Sequence, residues 1–123
     1  MKAYILVITL ATSSLFGEVI SGVDRFFDEK LYEQFHNKNI GLYTNHTGMD
    51  REGNLTVDRC LEHPKVRLIA IFSPEHGLDG VEPAAKNVSG FTYRGCTVHS
   101  LHGKYKRPLK SMLSKVDVII CDI

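Results

Sequence analysis

Three things are scarce in this chain, and each scarcity removes a class of protein. Cysteine is the first: Cys60, Cys96 and Cys121 are the only three, scattered, with no CxxC pair and no zinc-type spacing. Neither a disulfide framework nor a structural zinc site is read from them. All three read as structural, with Cys121 a small hydrophobe inside an apolar strand. An excess of one charge is the second: Lys and Arg number 15 against 14 Asp and Glu, for a formal net charge of +1. A dedicated nucleic-acid binder carries a basic face, and the short run Lys104-Tyr-Lys-Arg107 reads as a solvated turn instead. A long apolar run is the third. The stretch from Ala3 to Leu10 is too short to span a bilayer. With Lys2 before it and Ala11-Thr-Ser-Ser14 after it, it reads as a secretory signal peptide over residues 1–17, in preference to a buried first strand. The chain is therefore expected to be exported, periplasmic or secreted, and free of the membrane once the signal is cleaved. No cysteine closely follows the run, so lipoprotein attachment is not read.

What is present is organised around Ile69-Ala-Ile-Phe-Ser-Pro-Glu-His-Gly77. The run Val66 to Phe72 is apolar, β-branched and bounded by Pro64 and Pro74, the pattern of a short buried strand. Pro74 has no N–H to give a sheet ladder, so the strand stops there. Glu75 and His76 thus fall just past a strand's carboxyl end, where open parallel α/β sheets bind ligands. An acid beside an imidazole there suits proton transfer. The plainer reading is a solvated loop pair with a turn glycine.

At 123 residues the chain holds one small domain. Val23, Phe26, Phe27, Leu31 and Phe35 recur at helical spacing and predict one amphipathic helix covering a sheet face. Asn39 to Asn45 predicts a strand, and His46 to Gly53 a polar loop. A helix follows, capped by Thr56 and ended by His63-Pro64. This strand–helix–strand unit predicts a parallel pair, with Asn45/His46 and Glu75/His76 on one sheet edge. Residues 77–90 read as a long loop of the kind that often serves as a binding lid. Phe91 to Leu101 predicts a short strand interrupted at Gly95, Pro108 opens a helix from Leu109 to Lys115, and Val116 to Asp122 predicts a central strand.

Four motifs occur in order: Gly41-Leu-Tyr-Thr-Asn-His-Thr-Gly-Met-Asp50, Phe72-Ser-Pro-Glu-His-Gly77, His99-Ser-Leu-His-Gly103 with Arg107-Pro108, and Val116-Asp-Val-Ile-Ile-Cys-Asp-Ile123. From Val23 to Ile123 the chain resembles the N-terminal part of the NamZ-like exo-β-N-acetylmuramidase family. The resemblance implies an α/β fold: a Rossmann-like, partly parallel sheet with flanking helices over residues 18–123, an incomplete domain that the family follows with the rest of the sheet and a second domain. It implies hydrolysis of terminal non-reducing N-acetylmuramic acid from peptidoglycan fragments. The acid of the family's motif corresponds to Glu75, while Asn45, His46 and His76 correspond to polar positions of the same cleft. His102 stands where the family more often has an aromatic residue.

These residues suit the chemistry. Glycoside cleavage needs a proton donor for the leaving oxygen and a second group at the anomeric centre. Glu75, shielded from water, fits the general acid, with His76 orienting it or binding the sugar. Asp122, at the end of the last strand, is the other carboxylate placed for substrate. Arg107 suits a lactyl carboxylate, and as readily a plain surface cation. Neither metal nor cofactor is expected; metal-dependent hydrolysis through His46, His76 and Asp50 is the weaker reading, for want of ligand spacing. The expected partners are a peptidoglycan-derived muramic acid saccharide and a separately encoded C-terminal half. The alternative is a non-catalytic remnant or sugar-binding fragment of the family.

Overall fold

The computed structural model describes residues 19–74, 77–78, 91–102 and 104–123. The expected signal peptide at 1–17, most of the expected lid and both Glu75 and His76 lie outside the described residues.

Five strands make one sheet: β1 (Ile40–Thr44), β2 (Leu68–Ser73), β3 (Phe91–Tyr93), β4 (Cys96–Ser100) and β5 (Val118–Asp122), in the order β3-β4-β2-β1-β5. Strands β4, β2, β1 and β5 run parallel, and β3 is an antiparallel edge strand hairpinned to β4. The fold is thus α/β and Rossmann-like, as the family resemblance implied, and β1–α2–β2 is the parallel pair that the strand–helix–strand pattern predicted. From β1 the chain steps to β2 and then to β4 on one side, and later returns to place β5 on the other side of β1. The winding direction reverses between β1 and β5, and such a reversal opens a crevice at the strands' carboxyl ends.

Both faces of the sheet carry apolar clusters. On one, α1 (Gly22–Asp28) and α2 (Thr56–Glu62) supply Val23, Phe27, Val57 and Cys60 against Ile40, Leu42, Ile71 and Val98. On the other, Ala70, Phe72 and Leu101 pack with Tyr43, Val116, Met112 and Leu113, the last two from the single turn α3 (Lys110–Leu113). Leu42, Ile71 and Phe72 are fully buried, each contributing about 1.5–3 kcal/mol by leaving water.

The structure departs from the sequence pattern in four places. The predicted helix from Val23 to Phe35 breaks after Asp28: Lys30 takes a left-handed conformation at φ 56°, and Leu31–Phe35 forms a 3₁₀ turn. The break lets Tyr32 fold back so that its ring centroid lies 6.2 Å from those of both Phe26 and Phe27. Aromatic packing therefore outweighs helical continuity. The single strand predicted around Gly95 is a hairpin, because Arg94 (φ 48°) and Gly95 (φ 84°) reverse the chain. Arg94 then holds that hairpin on α2 through Asp58 and Glu62, both at 2.8 Å, and the Tyr93 hydroxyl donates to Asp58 Oδ1 at 3.1 Å. The helix predicted over Leu109 to Lys115 shortens to α3. Finally, β5 is not central: it pairs with β1 alone among the described residues, and Ile119 and Cys121 are exposed. Cys121 is therefore no core residue, unlike the buried Cys60 and Cys96.

Candidate functional site

The four parallel strands end in a row of polar residues. Thr44 pairs in register with Asp122, and Ser73 with Ser100; Tyr43 pairs with Phe72, which sets Thr44 beside Ser73. Apolar residues precede each of these ends except on β4, where His99 does. The sheet's carboxyl edge is thus a polar rim on an apolar floor. Thr44 and Ser73 are buried.

At the β1/β5 reversal the rim gains a second layer. The loop after β1 turns at once: Asn45 Oδ1 accepts from the Thr47 amide at 2.9 Å and the Thr47 hydroxyl at 2.6 Å, and the Asn45 carbonyl accepts from the Gly48 amide at 3.1 Å. This asparagine-closed turn brings Gly48 down onto the strand ends. A Cβ at Gly48 would lie 2.3 Å from Thr44 Oγ1 and 2.8 Å from the Asp122 carbonyl oxygen, so no larger residue fits. The Gly48 carbonyl accepts from the Thr56 amide at 3.0 Å, and the Thr56 hydroxyl donates to Asp122 Oδ2. Asp122, Thr44, Gly48 and Thr56 therefore form one connected group from three separate stretches of sequence.

Beyond it the loop is braced by Asp50, whose side chain is fully shielded from solvent. Asp50 accepts from the Glu52 amide at 3.0 Å, the Asn54 amide at 2.8 Å, the Asn54 side chain and Arg59. Burial opposes its charge, but the bonds from Asn54 and Arg59, with the two amides, prevail and hold its carboxyl at about 2. The Arg59 guanidinium in turn lies 4.4 Å from the Phe27 ring centroid. Asp50 is spent on the loop, which removes the weaker metal reading its carboxylate. Below the site, burial and then the negative charge of Asp122 push the Cys60 thiol up to about 12, which suits a structural role. His99 stacks on Phe72 with ring centroids 5.3 Å apart, and burial lowers its pKa from 6.5.

The residues singled out from sequence distribute as follows. Asp122 stands at the reversal, half-buried. Asn45 and His46 follow β1 at the same edge; Asn45 Oδ1 is committed to the turn, and His46 is half-buried with Nδ1 out of solvent. Arg107 is exposed in the connection from β4 to α3, outside the Asp122 group. Glu75 and His76 lie outside the described residues, two and three positions after Ser73 in the chain. Thr56 and Gly48 escaped the sequence reading. Thr56 was predicted to cap α2, but Leu55 occupies the cap position and the threonine hydroxyl turns to Asp122 instead. The spacing that betrays them, Thr44 to Gly48 to Thr56, becomes meaningful only once Thr44 and Asp122 are known to be neighbours.

An α/β domain with a polar site at the reversal of a parallel sheet belongs to the Rossmann-like class of ligand-binding domains. Within that class, the model of the family "Exo-beta-N-acetylmuramidase NamZ, N-terminal" matches residues 40–123, and the chain belongs to this family. It is 36% identical over 108 residues to the peptidoglycan beta-N-acetylmuramidase NamZ of Bacillus subtilis strain 168, covering 86% of this chain and 26% of that protein. Two crystal structures of DUF1343 family proteins from Bacteroides fragilis NCTC 9343 are similar. One has a TM-score of 0.72 at 34% identity, covering 85% of this chain and 26% of its own. The other has a TM-score of 0.62 at 30% identity, covering 86% and 26%. The chain thus spans about a quarter of the length of these relatives.

Proposed function

We propose that the chain is the sugar-binding, acid-bearing part of an exported exo-β-N-acetylmuramidase that removes terminal non-reducing N-acetylmuramic acid from peptidoglycan fragments. The observation that carries this reading is the carboxylate of Asp122 held at the β1/β5 reversal, beside the Asn45-His46 loop of a family whose Bacillus subtilis relative is a peptidoglycan β-N-acetylmuramidase. Glu75 is the general acid for the leaving oxygen, and Asp122 the charge that meets the anomeric centre as it becomes oxocarbenium-like. Arg107 pairs with the lactyl carboxylate. Further protein, equivalent to the rest of the relatives, completes the site.

A second reading, a sugar-binding fragment without turnover, rests on the polar rim of Thr44, Ser73, Ser100 and Asp122, which suits holding a sugar whether or not a bond is broken. One assay separates the two. The chain is offered a chromogenic muramide, alone and mixed with the separately produced remainder of a relative, and N-acetylmuramic acid binding is titrated in parallel. Turnover in the mixture with release from the non-reducing end supports the muramidase. Saturable binding with no turnover in either arm supports the fragment. Neither binding nor turnover removes both.

A further inference from the structure

We propose that Thr56 is the positioning residue for Asp122, fixing one carboxylate oxygen so that the other faces the crevice. The proposal rests on the reading of Asp122 as the charged group of the sugar site.

The observations converge from both sides of the carboxylate. Thr56 is the first helical residue of α2 and only 3% exposed. Its place is set by the backbone, through the Thr56 amide to the Gly48 carbonyl at 3.0 Å. A threonine at a helix start ordinarily offers its hydroxyl to the helix's own amides. Here the hydroxyl crosses 66 residues of sequence to donate to Asp122 Oδ2, and Leu55, the N-cap residue of α2, supplies no side-chain cap. Gly48 walls the same oxygen: a Cβ there would stand 3.3 Å from Oδ2. Asp122 Oδ1 has no hydrogen-bond partner among the described residues, and Asp122 is only half-buried at the strand ends, so this oxygen is left unpinned. The carboxylate is therefore asymmetric, with one oxygen pinned and one presented. That is the arrangement a group must have to meet a reacting centre in fixed geometry. A hydroxyl does this without offsetting the carboxylate's negative charge, as a lysine or arginine partner would.

The test uses the whole chain, labelled with ¹³C and ¹⁵N, in four forms: wild type, Thr56→Ser, Thr56→Val and Thr56→Ala. Three-bond couplings to Asp122 Cγ report its χ1 rotamer, and titration with N-acetylmuramic acid reports binding. Wild type and Thr56→Ser are expected to show a single Asp122 rotamer and affinities within about twofold. Thr56→Val is expected to show averaged couplings and at least about tenfold weaker binding, the scale of a lost hydrogen bond to a charged group. Thr56→Ala, a better helix former, gives the same two readings should valine not be accommodated. A single, wild-type rotamer in both apolar variants overturns the proposal, and so does averaging with unchanged affinity. Should wild type bind no sugar, the sugar reading fails, and the couplings alone then decide whether Thr56 holds Asp122.

Discussion

Thr44 and Asp122 are register partners at the last step of β1 and β5, and the Gly48 loop closes over both. Neither neighbour can yield cheaply to a larger residue at Gly48, because one contact is a buried hydroxyl and the other is backbone. Gly48→Ala is therefore expected to displace the loop and to destabilise the chain by about 1–3 kcal/mol, the usual cost of overpacking. Gly53→Ala is the control. Gly53 has open space around its Cβ position but a φ of +83°, so its cost is the left-handed backbone alone, about 1 kcal/mol. Denaturant midpoints compare the two; a Gly48→Ala chain as stable as wild type contradicts the packing.

Asp50 sets an acid limit. Its carboxyl sits at about 2 in the folded chain against an ordinary value of 3.8. A depressed folded value means that the folded state holds fewer protons than the unfolded chain within that window. Its contribution is whole above about pH 4 and is lost as pH falls toward about 2. Urea midpoints measured from pH 6 down to 2 are expected to fall through that window. Asp50→Asn should lower the midpoint at pH 6 and flatten the fall. An equally steep acid loss in Asp50→Asn would place it on other carboxylates.

Much of this was legible from residue order. Pro64 and Pro74 bracket β2, and the strand–helix–strand order, with Asp122 ending the last apolar run, puts the ends of β1, β2 and β5 on one sheet edge. Three things were not legible. Helical periodicity from Val23 to Phe35 is continuous in sequence, but the break at Lys30 is decided by where Tyr32 finds aromatic neighbours. The apolar composition of β5 reads as central, yet its place is set by the chain passing to the far side of β1. Thr56 has the sequence signature of a cap, and only the spatial neighbour, 66 residues away, reassigns its hydroxyl. Long-range placement, rather than local propensity, decided each case.

The three thiols are expected to differ in reactivity. Burial, then the charge of Asp122, pushes Cys60 up to about 12, burial also raises Cys96, and Cys121 is exposed on β5. The thiolate is the reactive form, so the raised values hold Cys60 and Cys96 back, and access favours Cys121. Mass spectrometry after brief alkylation at pH 8 should show one label, mapped to Cys121, and three in denaturant. Early labelling of Cys60 would mean that α2 does not pack on the sheet as described.

The last prediction separates the two carboxylates of the proposed muramidase. Glu75→Gln keeps shape and hydrogen bonding but removes the transferable proton. In the chain mixed with the remainder of a relative, it should lower release of N-acetylmuramic acid by about 10²–10⁴-fold, the range for loss of general acid catalysis. A substrate with a better leaving group needs less protonation and should lose less. Asp122→Asn removes charge at the anomeric centre instead, so its loss should not shrink with a better leaving group. It should also keep a hydrogen bond from Thr56, because the asparagine side chain retains a carbonyl acceptor. The pattern, rather than the size of either loss, carries the assignment. Equal sensitivity of both variants to the leaving group would deny them distinct roles. Near-wild-type turnover in Glu75→Gln would take Glu75 out of the chemistry and leave Asp122 as the leading candidate for the acid.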